Sequence, residues 1–222
     1  MQDIFDYEHP FVCTDAVVFA INTTESDNHR KLPEANLRVL LYKRETEPFE
    51  DYWCLPGGFL DIDELPEDNI RRKLFSKASV DSCWLEQLYT FCNPERDPRA
   101  RVISIAYLGL MDEERSKCFV DKAAWFDMQE ISESNLGFDH YTIVQLALER
   151  LRSKITYTDI AFNLLPKEFT LTQLQNVYEA IIGKKDQAAN FRRKIMGMVH
   201  ETGKHTSDKG HRPAKIYTKS KT

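Results

Sequence analysis

No stretch of this chain is apolar for long enough to cross a membrane; its longest apolar runs, such as Ala16 to Ile21 and Val39 to Tyr42, are strand-sized. The N-terminal MQDIFDYEHP has neither a basic region nor a cleavable apolar one, so the expectation is a cytoplasmic protein with no membrane partner. Cysteine is sparse and badly placed for metal: Cys13, Cys54, Cys83, Cys92 and Cys118 are odd in number, and no two are spaced as C-x-x-C or beside a histidine pair. A structural zinc site and a disulfide framework are thereby disfavoured, and reduced cysteines buried in strands are expected.

What the chain does have is charge of opposite sign in two places. Up to Arg152 there are 17 Lys and Arg against 29 Asp and Glu, a net −12; from Ser153 onward the balance is 13 against 6, a net +7. An acidic body with a basic tail points to a tail that meets a polyanion while the body does something else. At 222 residues the chain is comfortable for two domains. The short polar stretch Ser153 to Thr158 is the expected boundary, giving domains 1–152 and 153–222.

In the body, DAVVFAIN (Asp15 to Asn22) and LRVLLYK (Leu37 to Lys43) read as paired strands joined by the polar loop Thr23 to Ala35. WLEQLYTF (Trp84 to Phe91), VISIAYLGL (Val102 to Leu110) and AAWFD (Ala123 to Asp127) read as three more, with Trp125 or Phe126 filling the core or stacking on a planar ring. DHYTIVQLALERLR (Asp139 to Arg152) reads as a closing helix with Ile143, Leu146 and Leu151 among its apolar positions.

The densest chemistry lies between Trp53 and Val80, WCLPGGFLDIDELPEDNIRRKLFSKASV. Gly57 and Gly58 after Pro56 allow a tight turn and close approach to a ligand. Pro66 suits a first helical turn with Glu67 and Asp68 at its positive end, and Ile70, Leu74 and Ala78 line one face, predicting a helix from Pro66 to Lys77. Lys73 and Lys77, four residues apart, share a helix face that repels a metal and attracts an anion; the alternative is a solvated face alongside Arg71. The loop CNPERDPRA is the second distinctive stretch. Its Arg96, Asp97 and Arg99, with Arg101 just after it, suit bidentate recognition of phosphate or carboxylate, or else a loop tied by its own Arg-Asp pairs.

In the tail, Thr170 caps LTQLQNVYEAII (Leu171 to Ile182), with Leu171, Leu174, Val177, Tyr178 and Ile181 at helix-face spacing and Gly183 ending it. A second helix, Gln187 to Met198, turns Phe191, Ile195 and Met198 inward and carries Gln187, Asn190, Arg192, Arg193 and Lys194 toward a major groove or its phosphates. Two strand-like arms follow, Val199 to Gly203 and Ala214 to Thr218, around a loop with Lys204, His205, Lys209, His211 and Arg212. With Lys215 on the second arm, this is a wing able to track a DNA backbone.

The stretch around Gly58 resembles the Nudix box, G-x5-E-x7-R-E-U-x-E-E-x-G-U with U a bulky aliphatic residue: Gly58, Glu64, Arg72, Leu74 and Val80 fall on the pattern. The three glutamates that bind divalent metal in that family fall on Lys73, Ser76 and Lys77, and the last glycine on Ser79. As a whole the chain resembles the Nudix-related transcriptional regulators of the NrtR family. LPGGF, RKLFSK, LEQLYTF, ERDPRARVISIAY, FDH at Phe138 to His140, FTLTQLQNVYEAIIGK, NFRRK and HRPAKIY carry the likeness.

The resemblance implies an α+β chain: a Nudix-like α/β/α sandwich with a mixed sheet, then a C-terminal winged helix-turn-helix. It places Arg44 at the mouth of the cleft, where it meets a phosphate or carboxylate unless it pairs with Glu45 or Glu47. It implies a homodimer that represses genes by binding double-stranded operator DNA and answers a small effector. ADP-ribose is the first expectation for the effector, because Lys73, Lys77 and the arginine loop favour a phosphorylated ligand, and a pentose is the alternative. With lysines in place of the carboxylates, no metal, no cofactor and no hydrolysis are expected, and the ammonium groups neutralise a pyrophosphate that is never cut. Two other functions stay open: a metal-dependent ADP-sugar or nucleotide pyrophosphatase using Glu64, Glu67 or Asp68, and a DNA binder whose first domain only dimerises.

Overall fold

The structure is a computed structural model that describes residues 3, 6–24, 34–112, 122–206 and 213–220. Among these residues the strands are β1 (Phe11–Thr24), β2 (Glu34–Lys43), β3 (Trp53–Cys54), β4 (Gly57–Phe59), β5 (Trp84–Phe91), β6 (Val102–Met111), β7 (Ala123–Asp127), β8 (Phe169–Thr170), β9 (Val199–His205) and β10 (Lys215–Lys219). The helices are α1 (Pro66–Ala78), α2 (His140–Lys154), α3 (Leu171–Ile182) and α4 (Ala188–Ile195), with 3-10 turns at Glu133–Asn135 and Ile160–Leu164. No helix among the described residues is long and apolar enough to cross a membrane.

The chain divides into two compact units. The first comprises Met1–Val18, Val39–Gly109 and Cys118–Ala147; the second comprises Phe19–Arg38, Leu110–Lys117 and Leu148–Thr222. The second unit's long C-terminal stretch thus begins inside α2, and α2 itself runs two residues past Arg152.

The larger sheet has the order β3-β2-β1-β6-β5, with β4 pairing with β1 and β7 with β2. β1 starts at Phe11, four residues before the strand predicted from Asp15, because Cys13, Thr14 and Asp15 pair antiparallel with Phe59, Gly58 and Gly57 of the glycine loop. That loop is therefore two short strands, β3 and β4, too brief to show an alternating pattern in sequence. A Cβ at Gly57 would fall 2.2 Å from the Thr14 carbonyl oxygen, so only glycine permits this approach. Helix α1 lies against β4 and buries Ile70, Leu74 and Ala78, the face the spacing predicted. It ends at Ser79, which takes φ 50 and donates its N–H to Leu74 and Phe75 carbonyls, a left-handed cap that costs a residue with a Cβ about 1 kcal/mol.

The second unit holds a three-stranded sheet of order β8-β10-β9 and the helices α3 and α4. Leu174, Val177, Tyr178, Ile181, Phe191 and Ile195 are buried, as the helix-face spacing of α3 and α4 required, and Val199 of β9 and Tyr217 of β10 are buried as well. Helix α4 is shorter than the predicted Gln187 to Met198: Gln187 is its N-cap and Met196 its C-cap, leaving Met198 half-buried in a turn. Cys13 and Cys54 are buried in strands, but Cys83 is half-buried and Cys92 exposed beyond β5, and Cys118 lies outside the described residues.

Candidate functional site

The first unit places a cluster of cations around the glycine loop. Lys73 and Lys77 lie along α1 and are half-buried, unlike Arg71, which points to solvent. The Lys73 side chain runs across Gly58, where a Cβ would come 2.8 Å from its Cε. The Lys77 ammonium sits 3.8 Å from the centroid of the Tyr42 ring. Burial, with Lys73 and Arg44 as like-charged neighbours, pushes the Lys77 amine down from 10.5 to about 8 against the pull of Asp15. Arg44 donates to the carbonyls of Pro48 (2.6 Å) and Glu47 (3.3 Å), and its guanidinium stands 5.1 Å from the Phe138 ring. No carboxylate forms an ion pair with Arg44, Lys73 or Lys77 among the described residues.

The arginine loop divides in two. Arg96 is buried and donates twice to Asp139, at 3.0 and 2.7 Å, while reaching Asp15 at 3.5 Å. Ser104 also donates to Asp15, at 2.6 Å. Asp97 is buried and accepts from the Arg99 side chain at 2.9 and 2.7 Å. Arg101 donates to the Cys92 carbonyl at 2.6 Å. The loop is therefore tied by Arg-Asp pairs, with Arg96 reaching outside it to Asp15 and Asp139 and Arg99 alone turning toward the cleft, 5.7 Å from the Phe59 ring and 5.8 Å from Phe138. Beneath, His140 Nδ1 accepts from the Leu55 N–H at 3.0 Å, and burial holds the imidazole below its ordinary pKa against Asp15 and Asp139. This bond fixes the strand that enters the glycine loop.

The other side of the loop is held by a second chain of contacts. Thr14 donates to Asn69 (2.6 Å), Asn69 to Glu64 (2.6 Å), and Arg72 forks onto both Glu64 oxygens at 2.7 and 2.6 Å. The Arg72 bonds first, then Asn69, hold the Glu64 carboxyl down at about 2. Glu64 thus pairs loop to helix through Arg72 and is occupied.

In the second unit the outward face of α4 carries Gln187, Asn190, Arg192, Arg193 and Lys194, all exposed. Arg193 donates to Asn190 Oδ1 at 2.7 Å, and the Lys194 ammonium is 5.1 Å from the Tyr178 ring. On the wing, Lys204 is paired with Glu168 at 2.6 Å and Lys215 with Glu201 at 2.9 Å, while His205 is exposed. Lys209, His211 and Arg212 lie outside the described residues.

Comparison with known proteins closes the question of kinship. The NUDIX domain model matches residues 18–147, and the model of the NrtR DNA-binding winged helix domain matches residues 161–218. The chain is 33% identical over 221 residues to the "ADPR responsive transcriptional repressor NtrR" of Acinetobacter baylyi, covering 96% of this chain and 83% of that one. The chain belongs to the NrtR family of Nudix-related transcriptional regulators. The NrtR of Shewanella oneidensis, solved in complex with a 27mer DNA, superposes with a TM-score of 0.79 at 33% identity, over 94% of this chain and 93% of that one. The Nudix domain of the same NrtR, solved with ADP ribose, gives 0.54 at 30% identity, over 68% and 94%. In this NrtR-family chain Gly58, Glu64 and Arg72 are in structural use around the glycine loop, and Lys73 and Lys77 lie half-buried along α1.

Sequence reasoning missed Asp15, Tyr42 and the role of Phe138, Asp139 and His140. One signal was available: Asp15 is a charge at the head of the otherwise apolar DAVVFAIN, and a buried acid demands a buried base.

Proposed function

We propose that this chain is a transcriptional repressor whose affinity for operator DNA is set by ADP-ribose bound in the Nudix-like unit. Its main support is the full-length likeness to an ADPR responsive repressor, joined to a winged helix whose second helix exposes Arg192, Arg193 and Lys194. The cation cluster at Lys73, Lys77, Arg44 and Arg99 favours a phosphorylated effector over a neutral pentose, which calls for a few polar groups and an aromatic wall. The working division is residues 1–152 for sensing and dimerisation and 153–222 for DNA, in a cytoplasmic homodimer whose two α4 helices read half-sites about one helical turn apart.

The same unit does not hydrolyse its ligand. By resemblance to the Nudix box, Lys73, Ser76 and Lys77 fall on the positions of the family's metal glutamates, and Glu64 is taken by Arg72 and Asn69. The test is an anisotropy titration on the DNA upstream of the protein's own gene at fixed salt, with ADP-ribose, NAD and arabinose added separately. Specific binding that changes with ADP-ribose alone supports the proposal. Conversion of ADP-ribose to AMP and ribose 5-phosphate in Mg²⁺ or Mn²⁺, or DNA binding indifferent to every compound, refutes it.

A further inference from the structure

Helix α4 buries Phe191 and Ile195 and leaves its other residues exposed. At about 100° per residue, the side opposite that buried pair is centred on Arg193, with Ala189 one turn before it. Asn190 lies beside them, and Arg192 and Lys194 fall on the two flanks. Lys194 leans back toward the core, its ammonium 5.1 Å from the Tyr178 ring, which itself packs 5.3 Å from Phe191. Arg193 instead donates from Nη2 to Asn190 Oδ1 at 2.7 Å. That partner sets it apart from the wing, where Lys204, Lys215 and Lys219 are paired with the carboxylates of Glu168, Glu201 and Asp159. No carboxylate pairs with Arg193 among the described residues. A carboxylate cancels the charge it orients, whereas a neutral amide orients the guanidinium and leaves its charge whole.

The bond to Asn190 uses one of the guanidinium's N–H groups and leaves the others for a ligand. Two parallel N–H groups call for two adjacent acceptors, and of the base edges in a major groove only guanine supplies them, at O6 and N7. Adenine and cytosine turn an amino group toward the donors, and thymine offers O4 alone. Asn190 is not itself placed to clasp adenine, which takes Oδ1 as an acceptor together with Nδ2, because its Oδ1 faces Arg193, a side chain that can only donate. Ala189 adds no bulk between the helix and the base edges. The flanks of a helix lying in the groove face the two sugar-phosphate backbones, which suits Arg192 and Lys194. We propose that Arg193 is the base-reading residue of α4, donating to O6 and N7 of one operator guanine, with Asn190 as its positioning residue and Arg192 and Lys194 on phosphates. This rests on the operator binding proposed above and adds which base is read and by what.

The experiment is an anisotropy titration of the full chain on the duplex upstream of its own gene. Each guanine is replaced in turn by 7-deazaguanine, which lacks N7, or by hypoxanthine, which keeps both N7 and O6. At one position 7-deazaguanine should weaken binding roughly five- to fiftyfold, and hypoxanthine there should not. Arg193→Ala should bind the natural duplex more weakly and be indifferent to 7-deazaguanine at that position. Asn190→Ala should narrow the parent's discrimination while leaving affinity for an unrelated duplex unchanged, a split that a merely structural role would not produce. Arg192→Ala and Lys194→Ala should weaken binding to both duplexes, lower the slope of log affinity against log salt by about one each, and keep the discrimination intact. A parent indifferent to 7-deazaguanine at every position, an Arg193→Ala variant that keeps the parent's sensitivity, or sensitivity lost equally in Arg192→Ala overturns the assignment. If binding still changes with ADP-ribose in that case, the regulatory function stands without it. Absence of specific binding to the upstream duplex overturns both.

Discussion

Replacing Lys77 by methionine should make the ligand-free protein more stable while removing its affinity for the effector. Burial and its cationic neighbours lower the Lys77 amine from 10.5 to about 8, a difference worth about 3 kcal/mol against the charged form at 1.36 kcal/mol per pH unit. Part of that cost is relieved by solvent at a half-buried position, leaving an expected gain of about 1–2 kcal/mol at neutral pH. Methionine has similar reach and sets a sulfur over the Tyr42 ring. The pH dependence carries the sign. Between about pH 8 and 10.5 the unfolded lysine still holds a proton that the folded one has released, so the unmodified protein gains stability across that window. The advantage of Lys77→Met should be constant below pH 8 and shrink toward zero by about pH 10. Urea unfolding followed by tryptophan fluorescence measures this, since Trp53, Trp84 and Trp125 all belong to the first unit. A variant less stable than the parent at pH 7, or a difference that does not narrow with pH, would show that the ammonium is not held at a cost.

Arg72→Ala should raise the Glu64 carboxyl from about 2 toward the ordinary glutamate value, read directly by NMR titration of its carboxyl carbon; stability from this contact is present above the ordinary value and is lost as pH falls toward 2. Arg193→Ala should weaken operator binding and lower the slope of log affinity against log salt by about one if the guanidinium meets a phosphate, and leave the slope unchanged with relaxed sequence preference if it meets a base. Glu168→Gln and Glu201→Gln should strengthen DNA binding, because each frees a wing lysine now held by a carboxylate; gel-shift titrations of the two variants and their double check it. Phe191→Ala, emptying a buried position against Tyr178 in the second unit, should cost about 3–5 kcal/mol, measurable as lost hydrogen-exchange protection in α3 and α4.

Elements with a full period of their own were legible in sequence, and contacts between distant elements were not. Helix α1 needed only Ile70, Leu74 and Ala78 with Pro66 ahead of them, and α3 announced both ends through Thr170 and Gly183, whose N–H bonds back to the Glu179 carbonyl. β3 and β4 have two and three residues, so no alternation exists to be seen. The arginine loop shows the deeper limit. Arg96, Asp97, Arg99 and Arg101 read as a ligand clamp or as a loop tied by its own Arg-Asp pairs; Arg99 does pair with Asp97, yet Arg96 is consumed by Asp139 and Asp15, residues 43 and 81 positions away. Spacing along the chain carries no information about such partners. The lysine pair was readable because both members share one helix, where sequence distance and spatial distance coincide.

One residue limits how an effector can act on DNA. Thr170 serves two elements at once: its hydroxyl accepts from the Gln173 N–H to cap α3, and its backbone pairs with Ile216 of the wing strand β10. Helix and wing cannot twist apart without breaking the cap, so the reading head is stiff and moves as one piece. Tuning by loosening the wing is closed to such a head. In the homodimer proposed above, what remains adjustable is phase, the distance and rotation between its two heads measured against the pitch of the duplex, and the sensor's output would then be a change of ruler, not of grip.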